Sequence, residues 1–127
     1  KLMFEERHIS LWAYNLETVL AEKIETVLSR SVLNTRLRDF YDLYILQDTG
    51  MEIDKNILAA ALSATARKRG NEQVLTVYGR TLDEIHTSRL MREQWESYQK
   101  KNSYAAGIGW DDVITDIRTL CDSCIEQ

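Results

Sequence analysis

Two acids three positions apart, Asp39 and Asp42, stand in the stretch Arg38-Asp39-Phe40-Tyr41-Asp42. On a helix that spacing puts both carboxylates on one face, and Leu43 and Leu46 flank the same face. Upstream, Lys23 falls within the stripe made by Leu16, Val19, Leu20 and Val27, where helical periodicity expects an apolar residue. Arg30, one heptad further on, shares that direction, so two cations are expected to turn toward one packed surface. A charge buried alone there is strongly unfavourable or shifts its pKa, so carboxylates should lie nearby. The chemistry open to such a set is electrostatic. A face mixing two carboxylates with leucines meets Lys23 and Arg30 or closes a cleft. The other reading is a structural ion-pair cluster that locks two helices, and spacing alone does not choose between them.

The elements that would position these residues are helical. Apolar residues from Leu16 to Leu28 recur at helical spacing, with Asn15 as the expected cap and the end near Arg30. Asn34 or Thr35 opens a second helix through Leu46, apolar around most of its circumference and therefore central. Asp54 caps a third helix that Gly70 stops. Thr81-Leu82-Asp83-Glu84 reads as a capping box opening a long helix to about Lys101, and a loop from Asn102 to Gly109 leads to a last helix with a single stripe from Trp110 to Ile125. The alternation of Ile9, Leu11 and Ala13 predicts a short strand over residues 8–14, with Gln73 to Tyr78 as a second, weaker one. The expected fold is mainly α: a bundle or array of about five helices with a short N-terminal strand. Residues 1–15 read as a strand and linker remnant, and residues 16–127 as the helical domain.

Composition agrees with one compact unit. The chain has 127 residues, 44% hydrophobic and 28% charged, with no proline, which excludes a disordered or collagen-like chain. A formal charge of -4 argues against a dedicated nucleic-acid binder, so any such contact must be local. No apolar run suits a membrane span, the opening residues do not read as a secretory leader, and two cysteines are too few for a disulfide framework, so a cytoplasmic setting is expected.

Taken together, Ala13-Tyr14-Asn15-Leu16-Glu17, Ala21-Glu22-Lys23, Arg30 and Arg38-Asp39-Phe40-Tyr41-Asp42-Leu43-Tyr44 resemble the later part of the abortive-infection toxin nucleotidyltransferases, the AbiEii/AbiGii family. The resemblance spans about residues 9–46; the later helices agree only in general character. It implies a polymerase-beta-like nucleotidyltransferase with an N-terminal catalytic half and a helical half, acting as the toxin of a type IV toxin-antitoxin system. The third family motif maps onto Ala21-Glu22-Lys23 and the fourth onto Arg38-Asp39 with Asp42. By resemblance, Lys23 is then the phosphate-facing residue, Asp39 and Asp42 its partners in catalysis or support, and Arg30 and Arg38 substrate-binding cations. The first two motifs, a Gly-Gly/Ser-Thr triphosphate loop and paired aspartates for Mg²⁺, have no counterpart in residues 1–127. The sequence is therefore expected to be the C-terminal part of a toxin, inactive alone and without a metal site. Mg²⁺ and an NTP belong to the full-length parent, the acceptor is an RNA such as tRNA, and an antitoxin is the expected partner. An exposed apolar face on the first two helices would favour self-association.

Other signals carry less. Cys121-Asp122-Ser123-Cys124 has no second pair, so a helical core role outweighs zinc or redox chemistry. Gly107-Ile108-Gly109 lacks a third glycine and precedes two aspartates; His8 and His86 stand alone. Basic residues outnumber acids from Arg67 to Lys101 but are interleaved with them, as on a solvated helix face. The competing functional reading is a non-catalytic helical module that binds an antitoxin or RNA.

Overall fold

The computed structural model describes residues 4–50 and 52–125, with side chains from Leu16 onward. Its helices are α1 (Phe4–Arg30), α2 (Leu37–Asp48), α3 (Lys55–Lys68), α4 (Gln73–Thr76), α5 (Tyr78–Thr87), α6 (Arg89–Lys101) and α7 (Trp110–Cys124). Short 3-10 turns follow α1 at Ser31–Leu33 and α6 at Ser103–Ala105. The fold is mainly α, and no strand occurs among the described residues.

The expected strand over residues 8–14 is replaced by the first half of α1, which runs through Asn15 without a cap. Ile9, Trp12, Leu16 and Leu20 are spaced by three and four, so the helical period of the following stripe extends back across the segment. Alternation over a few residues yields to that longer register when no strand is available to pair. Gln73 to Tyr78 likewise forms a helical turn and the start of α5. The expected capping box at Thr81 fails because α5 already begins at Tyr78, leaving Thr81 buried inside it. The single long helix predicted there breaks at Ser88, which takes extended backbone angles and accepts the Met91 N–H on its hydroxyl.

α1 packs chiefly along α3, and α2 along α7, with α5 also against α7. Leu20, Ile24 and Val27 from α1 join Phe40, Leu43 and Leu46 from α2, Leu58 from α3, and Trp95 and Ile117 in one continuous core. Phe40 and Trp95 both contact Trp110, with ring centroids 5.3 and 5.9 Å apart. Each indole is satisfied: Trp95 donates to the Ile108 carbonyl at 2.9 Å and Trp110 to the His86 carbonyl at 3.3 Å.

Two local devices set α1 against α2 and α3. At the end of α1, Ser31 takes φ 49°, a left-handed conformation that costs a residue with a Cβ about 1 kcal/mol. The chain reverses there, and Asn34, fully buried, accepts the Arg36 N–H at 2.9 Å on its side-chain oxygen. This turn delays the start of α2 to Leu37, past the Asn34 or Thr35 expected from sequence. On the other side, Asp54 caps α3 by accepting from the Asn56 and Ile57 N–H groups, and its own N–H donates to Glu17 of α1 at 2.9 Å.

Candidate functional site

The reversal at Ser31 brings one face of α2 against α1 beside Lys23. Its Nζ lies 2.9 Å from Asp42 Oδ2 and 3.4 Å from Asp39 Oδ1, so one ammonium bridges both acids. The side chains of Asp39 and Asp42 are 4% and 5% exposed, and that of Lys23 is 20% exposed. The acids are thus inside the fold while the lysine reaches the surface along its stem. A second layer of cations surrounds them: Arg36 Nε stands 3.9 Å from Asp39 and Arg38 Nε 3.8 Å from Asp42, both arginines exposed. Asp39 Oδ2 is buried yet accepts no hydrogen bond.

This cluster is not sealed. Lys23, Asp39, Arg36, Thr26, Glu22 and Arg69 border a cleft of about 220 Å³. Arg69 comes from the end of α3 and is held in place by Glu25, a carboxylate only 1% exposed, at 2.5 Å. Asn71 donates to the other Glu25 oxygen at 3.1 Å. Gly70, at φ 70° between them, supplies the left-handed turn that lets both side chains reach the same acid. The larger depression of about 710 Å³ lies elsewhere, where the α4–α5 junction meets α7. There Arg118 is committed to Asp83 at 2.7 Å, and Asp122 accepts from the Tyr78 hydroxyl. The candidate residues thus border the smaller of these two clefts.

Nearby phenols stay protonated. Burial raises the Tyr41 pKa, with Tyr104 and Asp42 adding to the effect. Burial also raises that of Tyr98, helped by its 3.0 Å hydrogen bond with Tyr104.

The structure thus joins Lys23, Asp39 and Asp42 as the spacing implied, and adds Arg38 at their edge. Arg30 is corrected: it is exposed and makes no ion pair among the described residues. Its direction around α1 matches that of Lys23, but it stands about 10 Å further along the axis, at the last residue before the chain turns away. Glu25, Arg36 and Arg69 were not expected. Glu25 was legible in principle, since it lies between Ala21 and Leu28 on an otherwise apolar strip of α1. Arg69 was not, because only the packing of α3 brings it there.

Asp39 and Asp42 do not suit a magnesium ion. The Lys23 ammonium occupies the position between them, and no group of three His, Cys, Asp or Glu side chains able to hold an ion exists among the described residues. Cys121 and Cys124 are buried free thiols with raised pKa values, that of Cys124 reaching about 11 through burial. They are core residues without thiolate character.

A mainly α unit carrying a lysine-centred acid pair at the rim of a cleft of mixed charge is the class of molecule these observations define. The chain belongs to the AbiEii family of nucleotidyl transferase toxins of type IV toxin-antitoxin systems, whose model matches residues 2–116. That span takes in α1 to α6 and the first half of α7, well beyond the motifs around Lys23 and Asp39. Membership implies an antitoxin as partner. No curated protein and no solved structure matches the chain. No helix among the described residues is long and apolar enough to cross a membrane.

Proposed function

We propose that this chain is the helical part of a toxin that transfers nucleotides from an NTP to an RNA acceptor, tRNA being the expected one, in the cytoplasm. In this reading Lys23 forms one wall of the transfer site. The triphosphate loop and the Mg²⁺-binding aspartates come from a separate N-terminal half, so the chain alone has no transferase activity. The observation that carries the reading is the ammonium of Lys23, bridged between Asp39 and Asp42 and opening onto a cleft lined by Arg36 and Arg69.

An ammonium held by two acids is oriented before substrate arrives, and it stabilises charge developing on a phosphate without reorganising. Asp39 and Asp42 hold it there; Arg38 balances the acids and reaches substrate phosphate from the exposed side. The test is nucleotide incorporation into RNA by the parent protein, compared with its Lys23→Met variant and with this chain alone. Loss of transfer in the variant, with the fold retained, is expected. Full activity in Lys23→Met, or transfer by the chain alone, would overturn the proposal.

A second reading, an interaction module that binds antitoxin or RNA without contributing to catalysis, is favoured by one observation. Lys23 is already paired by two carboxylates, as a purely structural cation would be. Under this reading, neutralising all three residues together leaves transfer by the parent intact.

A further inference from the structure

Beside the Lys23 cleft, the start of α2 and one face of α6 enclose a groove of about 460 Å³. Every charged side chain lining it is basic: Arg36 and Arg38 from α2, and Lys101 from the last turn of α6. The acids that touch these arginines are Asp39 and Asp42, and both are already answered by Lys23. The groove therefore keeps a surplus of positive charge in a chain that is acidic overall.

The rest of the lining is not that of a simple ion site. Tyr98 is half-buried and backed by Trp95, with ring centroids 5.4 Å apart and an interplanar angle of 18°, which makes a rigid aromatic wall. Gln94 and Ser97 stand on the same side, and the buried Gln94 Oε1 has no hydrogen-bond partner. Basic side chains for phosphates and an aromatic wall for a base are the combination that seats a single nucleic-acid strand.

We infer that this groove seats the single-stranded end of the RNA acceptor, its phosphates on Arg36, Arg38 and Lys101 and a base against Tyr98. Arg36 lines both this groove and the Lys23 cleft, so a strand lying here ends at the transfer site. The inference rests on the RNA acceptor of the proposed function, but it concerns binding, which is measurable without catalysis.

The experiment is fluorescence anisotropy of this chain with a labelled single-stranded RNA oligonucleotide across a salt series. Lys101→Gln and Ser97→Glu are the test variants; Lys68→Gln, at the far end of α3, is the control. Lys101 and Ser97 are exposed, and thermal melting confirms that each variant folds. Lys101→Gln is expected to weaken RNA binding about fivefold or more and to lower the salt slope by about 0.7, the value for one phosphate contact on a single strand. Ser97→Glu, which places a carboxylate in the groove, is expected to weaken it further, and Lys68→Gln to leave it unchanged.

RNA binding equal to wild type in both test variants would overturn the inference. So would a result in which they weaken binding of free NTP but not of RNA, which would make the groove a nucleotide site. The two proposals are separated by reading different variants in different assays: transfer by the parent Lys23→Met tests the catalytic role, and RNA binding by Lys101→Gln tests the groove. If transfer survives while Lys101→Gln weakens RNA binding, the catalytic role of Lys23 falls and the groove stands.

Discussion

Two charged clusters sit two residues apart on α1 and are built in opposite ways. At Glu25 an acid is sealed inside, 1% exposed, with Arg69 on one oxygen and Asn71 on the other. At Lys23 the central group is a cation that reaches solvent, and one buried oxygen of its partner Asp39 accepts no hydrogen bond. The first cluster is satisfied and holds α1 to the end of α3. The second keeps hydrogen-bonding capacity in reserve beside a cleft, at a cost the first avoids. The two clusters thus differ in satisfaction: both oxygens of Glu25 accept a hydrogen bond, whereas Asp39 Oδ2 accepts none.

The largest effect should come from breaking the open cluster. Lys23→Met leaves two buried carboxylates facing each other. The parent's transfer activity is expected to fall at least about a hundredfold, the scale of losing one preorganised electrostatic contact. Stability falls as well, by about 2–3 kcal/mol in urea unfolding, less than for a fully buried pair because the lysine is partly solvated. Adding Asp39→Asn and Asp42→Asn removes the repulsion. If the cluster is catalytic, the triple variant regains stability without activity; if structural, it regains both.

The Glu25 cluster should respond differently. Glu25→Gln keeps the shape and removes the charge, with an expected loss of about 1–2 kcal/mol as Arg69 loses its buried acceptor. Transfer by the parent should change less than about threefold. A variant that lost activity as steeply as Lys23→Met would erase the distinction between the two clusters. The open cluster also depends on the reversal at Ser31, whose left-handed backbone suits no β-branched residue. Ser31→Val is expected to destabilise by about 1–2 kcal/mol, whereas Ser31→Gly should be no less stable than wild type. Both follow from equilibrium unfolding.

The same contrast explains what was readable in the sequence. Lys23 broke an apolar stripe and Asp39 and Asp42 shared a face, so their meeting followed from periodicity within two neighbouring helices. Helices α3 and α7 were legible for the same reason, each having a cap or a single apolar stripe, and α2 through its dense apolar residues. Arg69 and Lys101 reach their clefts only because distant helices pack there, and no local pattern encodes that. Arg30 misled because direction around a helix was read without distance along it. The segment before Leu16 misled because a short alternation was weighed above a longer helical register. Ser88 looked like one more residue of a long helix until its hydroxyl was seen to cap α6.

The smallest expected effect separates these clusters from a third one that has no cation among the described residues. Asp116 on α7 has its pKa raised by burial and by the carboxylates of Asp112 and Asp48. Tyr44, raised by burial and by the same three acids, adjoins it without supplying a positive charge. A carboxyl whose folded pKa exceeds its unfolded value holds more protons when folded, so stability declines as pH rises from the unfolded pKa through the folded one. Above that window the charged Asp116 is a constant penalty. Asp116→Asn is therefore expected to stabilise the chain at pH 7, by roughly 0.3 kcal/mol once solvent screening at this partly exposed site is counted. The gain should shrink with added salt and vanish below the ordinary aspartate value of 3.8. Melting curves at pH 7 and pH 3 read this directly. Equal or lower stability of the variant at pH 7 would mean that a cation answers Asp116 after all, as Lys23 and Arg69 answer the acids of the other two clusters.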